Sequence, residues 1–283
     1  MSIYLARFAR SICAASAFDI RSDVTLGGKL IIEQVGNLEV SYAPFEHIER
    51  EARIVIVGIT PGKLQATNAL CEIRRQLLDG ADQNSALAAA KVHASFSGGM
   101  RANLVKMLDY IGVARSLGIP SADALWTTHG TLAHFTSALR YPVFFSGKNF
   151  NGQVDMTRSR PLVRLLDQCL AEEAATLPDA VWVPAGPTAG IGVQYLVGKG
   201  LVRSERVLAG LPHPSMANNE RVQYFIGQKA RGKLSAKTNP AIIDVARESL
   251  IAKVAALPTS PEVARAVSLQ QLRPRDRGTH GRP

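Results

Sequence analysis

A chain of 283 residues with 46% hydrophobic and 20% charged residues can bury a full core, and this composition excludes an intrinsically disordered chain. Lys and Arg number 33 against 23 Asp and Glu, so the net charge of +10 favours polyanionic partners, with nucleic acid as the leading class. Three widely spaced cysteines, Cys13, Cys71 and Cys169, exclude a four-cysteine iron–sulfur or zinc site, and no apolar run is long enough to span a bilayer. We expect reduced thiols, a cytoplasmic location and no membrane partner.

The residues before the first core strand predict a helix and a hairpin. The N-terminal helix is amphipathic, and its apolar stripe consists of Leu5, Phe8 and Ile12. Glycines bound two short segments, 29–35 and 38–42, which fits a β-hairpin, and we expect it to extend the edge of the main sheet. Residues 53–57, Arg-Ile-Val-Ile-Val, then suit a strand that is buried on both faces.

Helical and strand patterns alternate through the rest of the chain. Helical spacing is present over residues 63–78, 103–111 and from Pro161 onward, residues 81–100 are typical of a polar loop, and buried strands are predicted at 132–139, 180–184 and 206–210. This alternation implies a three-layer α/β/α sandwich whose mainly parallel central sheet has about four strands, with the N-terminal helix and hairpin added to it. We expect one domain over residues 1–256, with its core at about 53–225, and a flexible basic tail rich in Pro and Arg at 257–283.

Several common catalytic motifs are excluded by their spacing. A phosphate-binding loop needs Gly, four residues and then Gly-Lys-Ser/Thr, but Val57 stands in place of the first glycine and Leu64 in place of the hydroxyl. His129 and His134 are five residues apart and lack the glutamate of a metalloprotease helix. No Gly-x-Ser-x-Gly elbow of a serine hydrolase is present. We expect no metal and no cofactor.

Two turns at predicted strand ends carry the most information. The first core strand runs into Gly58-Ile-Thr-Pro-Gly62, and the carboxyl ends of parallel strands are where open α/β sheets bind ligands. The fourth predicted strand leads to His213-Pro214-Ser215, where the proline fixes the backbone next to the imidazole. Such a histidine could donate a hydrogen bond to charge on a leaving group, although an isolated histidine more often caps a turn.

The motifs, in their order and spacing, resemble the uracil-DNA glycosylase superfamily over more than half of the chain. Residues 58–62 are similar to the first motif of the superfamily, which reads Gly, two variable residues, Pro and usually Gly, and residues 213–215 are similar to its second motif. Between them, Phe96 within Ser-Phe-Ser-Gly-Gly is similar to the aromatic residue that stacks on the extruded base, residues 135–139 to the strand with the base-reading residue, and residues 186–190 to a small-residue turn. Residues 216–221 are similar to the loop that enters the DNA minor groove.

The resemblance implies a site that receives a base flipped out of DNA, because a base cannot be attacked within the duplex. Phe96 would stack on the base, Ser137 would face its edge, and His213 would stabilise negative charge on the leaving base. The backbone around Ile59 and Thr60 would line the sugar and hold the attacking water. Met216 or Arg221 would serve as the wedge. The other residues placed at the substrate or the DNA are Gly58, Pro61, Gly62, Pro214, Ser215, Asn218 and Asn219.

Two departures from the superfamily bear on the substrate. Relatives commonly carry Asp, Glu or Asn in the first motif, whereas this chain has Ile59 and Thr60, and a hydroxyl is a poor base. Asp155 is a substitute candidate, with surface solvation as its alternative role. Ser137 stands where many relatives have Asn, and one hydroxyl cannot make the paired contacts of an amide. Less selective reading of the base edge, or a pocket for a bulkier modified base, is the resulting hypothesis.

The predicted function is therefore a monomeric, monofunctional DNA glycosylase that hydrolyses the N-glycosidic bond of a deaminated or modified base, in DNA repair or in defence against phage. One alternative is a DNA-binding protein that keeps the base pocket without turnover, motivated by Thr60. Another is a nucleoside hydrolase, for which the net charge of +10 would have no purpose.

Overall fold

The computed structural model describes residues 3–257, so the predicted basic tail at 257–283 lies, apart from its first residue, outside the described residues. The helices are α1 (Ile3–Ala14), α2 (Ala17–Ser22), α3 (Lys63–Leu78), α4 (Gln83–Ala94), α5 (Gly99–Tyr110), α6 (Val113–Leu117), α7 (Arg160–Leu165), α8 (Ala171–Thr176), α9 (Pro187–Gly198), α10 (Asn219–Phe225) and α11 (Pro240–Ala255). The strands are β1 (Ile31–Val35), β2 (Leu38–Ser41), β3 (Ile54–Gly58), β4 (Ala133–Ser137), β5 (Val143–Phe145), β6 (Lys148–Asn149) and β7 (Val181–Pro184). The chain is a mixed α/β fold.

A three-stranded parallel sheet lies at the centre, in the order β4-β3-β7. Its middle strand, β3, is an unbroken run of β-branched residues because both of its faces are buried. Val55 and Val57 pack into one hydrophobic cluster, whereas Ile54 and Ile56 pack into another, since successive side chains of a strand point to opposite faces. The prediction of a buried parallel strand at this position is confirmed.

The predicted fourth parallel strand, 206–210, is wrong. Arg206 still belongs to a 3₁₀ turn (Ser204–Arg206), and only Val207 forms a bridge, to Trp182 of β7. The chain turns away at Gly210, whose φ of +130° suits glycine and whose Cα packs against Ala246 of α11. The apolar run is buried by helix packing and not by strand pairing.

The predicted hairpin forms but does not extend the main sheet. It belongs to a separate antiparallel sheet in the order β1-β2-β5-β6. The free edge of β2 pairs with β5, with Leu38 opposite Phe145 and Val40 opposite Val143. Because β5 occupies that edge, the hairpin is not added to β4 or β7.

The prediction of a polar loop over residues 81–100 is also wrong, because α4 occupies much of it. Asp82 caps this helix by accepting hydrogen bonds from the amides of Asn84 and Ser85. The buried stripe consists mainly of small side chains, at Ala86, Leu87, Ala90, Lys91 and Ala94. The loop proper is limited to the residues around Phe96, between α4 and α5.

A helix does begin near Pro161, as predicted, but it is interrupted. A π turn at Leu166–Leu170 separates α7 from α8. Cys169 lies in this turn and is buried, which confirms its prediction as a core residue. None of the helices between residues 3 and 257 combines the length and apolar character needed to cross a bilayer.

A buried ionic cluster fastens α4, β4 and α8 to one another. Glu173 is fully buried and accepts a hydrogen bond of 2.9 Å from Arg140 Nε, and its carboxylate lies 4.0 Å from Lys91 Nζ. His134 Nδ1 accepts from the amide of Glu49, and its Nε2 lies 3.4 Å from Glu173 Oε2 in poor alignment for a hydrogen bond. Each buried charge thus has an opposite charge nearby, which offsets part of the cost of its desolvation.

The pKa values of this cluster follow from its burial. Burial by itself would raise the pKa of Glu173, but the charges of Arg140 and Lys91 outweigh it and hold that pKa well below the usual range. Burial lowers the pKa of Lys91 to about 8 despite the nearby carboxylate. Burial and the charge of Lys91 lower the pKa of His134 to about 4, so this imidazole is neutral at physiological pH.

Candidate functional site

An open cavity of about 940 Å³ lies at the carboxyl end of the parallel sheet, where the turns after β3 and β4 meet the His213 turn. Eleven of the fifteen residues predicted for the site line it: Gly58, Ile59, Thr60, Pro61, Gly62, Phe96, Ser137, His213, Ser215, Asn218 and Arg221. The four predicted residues that do not line it are Asp155, Pro214, Met216 and Asn219. Sequence motifs separated by most of the chain are thus brought to one place.

Gly58, Phe96 and Ser137 form one wall of the cavity. A Cβ atom on Gly58 would lie 3.2 Å from Ser137 Oγ and 3.6 Å from two atoms of the Phe96 ring. Gly58 and Ser137 are register partners at the ends of β3 and β4, which explains their proximity. The missing side chain of Gly58 therefore leaves room for a ring face and a hydroxyl side by side.

Phe96 is held in an unusual backbone conformation. Its φ is +52°, in the left-handed region that few residues other than glycine adopt. The edge of its ring meets Phe135 at a centroid distance of 6.4 Å, and Phe135 in turn stacks on Trp126 at 4.4 Å. Phe96 thus packs against the core and lines the cavity at once, and backbone strain of this kind concentrates at binding sites.

His213 is a neutral hydrogen-bond donor in this arrangement. The amide of Ser215 donates to His213 Nδ1 at 3.3 Å, and because an amide can only donate, the proton of the neutral ring is on Nε2. Burial lowers the pKa of His213 below its ordinary value of 6.5. The imidazole therefore has one N–H to offer to a ligand in the cavity.

Gly186, directly after β7, allows the His213 turn to approach the sheet. Its φ is +112°, and a Cβ atom there would lie 2.8 Å from His213 Cβ and 3.0 Å from His213 Cα. Real side chains do not tolerate such distances to backbone atoms. The position of His213 thus depends on a glycine in a different segment of the chain.

Thr60 has a structural role that the sequence did not reveal. Its hydroxyl donates to the carbonyl of Tyr141 at 2.9 Å and accepts from the amide of Val143 at 3.0 Å. Its only proton is therefore engaged in joining the turn after β3 to β5. The hydroxyl cannot donate to a water or a sugar while these bonds persist, which argues against a direct catalytic role for this side chain.

The loop that follows His213 is held by α5. Asn103, which is buried, donates from Nδ2 to the carbonyl of Pro214 at 3.0 Å and contacts Met216 Sδ at 3.8 Å. Met216 also lies over Gly99, where a Cβ atom would be 2.7 Å from its sulfur. Met216 nevertheless remains 62% exposed.

Arg221 and Asp155 are fixed by their neighbours. The Arg221 guanidinium donates to Asn218 Oδ1 at 2.6 Å and to the carbonyl of Lys237 at 2.9 Å, so the arginine joins the loop after His213 to the residues before α11. Asp155 accepts from the amide and hydroxyl of Thr157 and does not line the cavity. Asp155 therefore does not replace the missing carboxylate of the first motif.

Other lining residues were not identified from the sequence. Thr136 is 6% exposed, lines the cavity, and its hydroxyl has no hydrogen-bond partner among residues 3–257. Asn149 of β6 lines the cavity and accepts from the amide of Lys63 at the start of α3. The far side of the cavity is formed by residues before and within α11, namely Lys237, Asn239, Ile242, Ile243 and Ala246.

None of the acidic residues between positions 3 and 257 lines this site. The lining contains no Asp and no Glu. Between residues 3 and 257, no group of three or more His, Cys, Asp or Glu side chains could hold a metal ion. The polar groups available to a ligand are therefore hydroxyls, amides, one neutral imidazole and the basic residues at the rim.

Comparison with known proteins gives one informative result. The chain is 32% identical to the uncharacterized protein YoxB of Bacillus subtilis (strain 168) over 220 residues, which cover 77% of this chain and 86% of the relative. No protein-family model matches the chain, and no solved structure matches it significantly.

Proposed function

The chain belongs to the family of YoxB, whose name states no activity, and we propose that it is a DNA glycosylase that hydrolyses the N-glycosidic bond of a flipped, modified base. One observation carries the proposal: an aromatic face, a hydroxyl and a neutral imidazole N–H, from Phe96, Ser137 and His213, line a single cavity at the end of the sheet. These are the group types that a flipped base requires for stacking, edge reading and leaving-group stabilisation.

His213 supplies the main chemical contribution in this proposal. As the glycosidic bond breaks, the bonding electrons move onto the base, and the Nε2–H of His213 donates a hydrogen bond to the resulting negative charge. A neutral donor suits this role, because it is already in the required state at neutral pH. Water then adds to the anomeric carbon, and the proton that it loses passes to the departed base, so the products are the neutral base and an abasic sugar.

The absence of a carboxylate from the lining restricts the substrate. The Thr60 hydroxyl is engaged with Tyr141 and Val143 and cannot act as a general base. The lining contains no Asp or Glu that could take this role. Without a general base, hydrolysis of uracil should be slow, and we expect faster hydrolysis of a base whose additional contacts with the cavity hold it against His213.

The size of the cavity favours a bulky modified base. Its volume of about 940 Å³ is near the upper end of the roughly 300–1,000 Å³ found for sites that hold whole drug-sized ligands. A single pyrimidine would leave much of it empty. We propose a pyrimidine with a large substituent, such as a hypermodified phage base.

The finer architecture is part of the same proposal. The hydrophobic clusters on the two faces of β3 support a three-layer α/β/α sandwich of the glycosylase type, with the parallel sheet as its middle layer.

Base excision is the direct test. Duplexes and single strands that contain uracil, hypoxanthine or glucosylated hydroxymethylcytosine are incubated with the protein, and abasic sites are detected by alkali cleavage. We expect cleavage on the glucosylated base above that on uracil. Specific DNA binding without abasic sites would favour a base sensor, for which the engaged hydroxyl of Thr60 is the specific observation. Release of bases from free nucleosides but not from DNA would favour a nucleoside hydrolase.

A further inference from the structure

We propose that the segment between α10 and α11, residues 228–239, binds the phosphate backbone of nucleic acid next to the cavity. We call it the basic loop, because it contains Lys229, Arg231, Lys233 and Lys237 and no acidic residue. The inference rests on the proposed function and adds to it the surface that holds the DNA. Two residues of the loop, Lys237 and Asn239, line the cavity itself.

The four cations of the basic loop fall into two groups. Lys229 Nζ lies 2.8 Å from Glu220, and Arg231 lies 3.6 Å from Asp244, so these two are committed at least in part to the protein. Lys233 and Lys237 are exposed, and neither forms an ion pair with any other residue in the described part of the chain. Two ammonium groups of the basic loop are thus available to phosphates, and one of them belongs to Lys237, which lines the cavity.

The loop is held in one conformation by Glu220 of α10. Besides Lys229, this carboxylate accepts from the hydroxyl of Ser235 at 2.7 Å and from the hydroxyl of Thr238 at 2.6 Å, and the amide of Ser235 lies within 3.3 Å of both oxygens. Because its conformation is already fixed, the loop can bind an extended anion with little additional loss of entropy.

The loop is also connected to His213 by hydrogen bonds. Arg221 donates to the carbonyl of Lys237 and to Asn218 Oδ1. Asn218 Nδ2 donates to Ser215 Oγ at 3.0 Å, and the amide of Ser215 donates to His213 Nδ1. Phosphates bound to the loop would therefore be held in a fixed position relative to the imidazole that acts on the base.

Nucleic acid fits this surface better than other anions do. Lys237 lines a cavity that also has apolar residues and a neutral imidazole in its lining, and Lys233 lies four residues earlier in the same loop. This arrangement suits a charged backbone that follows the loop with an uncharged base pointing into the cavity. An anionic membrane surface would use the charge but would have no use for the cavity.

The test is the salt dependence of DNA binding by a double variant, Lys233→Gln with Lys237→Gln. Both side chains are exposed, and the substitution keeps the Lys237 carbonyl to which Arg221 is bonded, so the thermal midpoint should not change. The matched control is Arg10→Gln with Lys29→Gln, which makes the same change in net charge at exposed positions that do not line the cavity. Binding to a labelled DNA duplex is measured by fluorescence anisotropy as the salt concentration is raised.

Each lost phosphate contact reduces the slope of log K against log salt by about 0.9, so the double variant should lose about 1.8. When the salt concentration rises from about 50 to about 200 mM, the affinity of both proteins for DNA falls, and the factor by which it falls should be about ten times smaller for the double variant than for the wild type. The control should keep the wild-type slope. Equal slopes for the double variant and the wild type would overturn the proposal for the loop while leaving base excision intact.

Two further outcomes separate the loop from the proposed function. If the wild-type protein binds no DNA at the lowest salt and excises no base, the proposed function fails, and the proposal for the loop fails with it. If the wild type instead binds vesicles of phosphatidylserine and phosphatidylcholine through Lys233 and Lys237 but not DNA, the loop is a membrane-binding surface and the proposal is wrong.

Discussion

At the scale of the single residue, the protonation state of His213 determines what the cavity can do. The imidazole has its acceptor nitrogen occupied by the Ser215 amide, and its pKa is lowered by burial. Substituting His213→Gln removes the ring while leaving an amide that can reach some of the same space. We expect kcat for base excision to fall by about 10²–10³, the usual cost of one lost donor to a developing anion, with DNA affinity nearly unchanged. Single-turnover kinetics and anisotropy measure the two effects, and unchanged turnover would remove His213 from the mechanism.

The same histidine predicts the pH dependence of the reaction. The active form is the neutral ring, and its folded-state pKa lies below the ordinary 6.5. As pH falls, activity should therefore decline at a lower pH than it would with a histidine of ordinary pKa. If kcat/KM already begins to decline above pH 7 as the pH is lowered, His213 is not a buried, neutral donor.

Gly186 provides a second residue-scale prediction with a control in the same helix region. Gly186→Ala places a Cβ against the backbone of His213 at a φ of +112°, so we expect a loss of stability of about 1–3 kcal/mol and a displaced imidazole. Gly190→Ala has no neighbour within 4 Å and lies within α9, so it should stabilise the protein by up to about 1 kcal/mol and keep activity. Urea unfolding and base excision on both variants provide the comparison.

Thr136 separates stability from binding. Its buried hydroxyl has no partner in the described part of the chain, so Thr136→Val removes an unsatisfied polar group and should raise the free energy of unfolding by about 1 kcal/mol. If the hydroxyl serves the substrate, KM should rise at the same time. A variant that is more stable and binds substrate as well as the wild type does would assign Thr136 to the structure alone.

At the scale of the element, the buried cluster that joins α4, β4 and α8 makes the fold sensitive to acid. The pKa of His134 is about 4 in the folded protein and close to 6.5 when unfolded, so the unfolded state binds more protons between these values. The contribution of His134 to stability is therefore complete above pH 6.5 and is lost as pH falls toward 4, by up to about 3 kcal/mol. Urea midpoints measured from pH 7 to 4.5 test this, and His134→Gln should flatten the dependence.

The elements also show which sequence signals are reliable. The stripe of large residues in α1 and the β-branched run of β3 predicted their structures because each pattern reports burial directly. The stripe of α4 was missed because alanines carry a weak apolar signal. The residues at 206–210 were mistaken for a strand because burial against α11 and burial within a sheet give the same short apolar run.

For the site, the two motif turns and Phe96 were predicted correctly as neighbours, because strand order places them at one edge. The hydroxyl of Thr60 could not be interpreted in the same way, since its partners are far along the chain at Tyr141 and Val143. The contribution of α11 to the cavity had no motif to indicate it.

At the scale of the whole molecule, the order in which the chain folds follows from the parallel sheet. Ile54 pairs with Ala133 on one side and with Val181 on the other, so the sheet closes only after long loops have been ordered. The basic loop, in contrast, is fixed by contacts between Glu220 and nearby residues up to Thr238. During refolding, the surface for anions can form early from local contacts, whereas the cavity must wait for the slow, non-local step. A partly folded chain whose basic loop has formed would then bind DNA before it could accept a base. Nucleic acid present during refolding would therefore change the rate at which the chain folds.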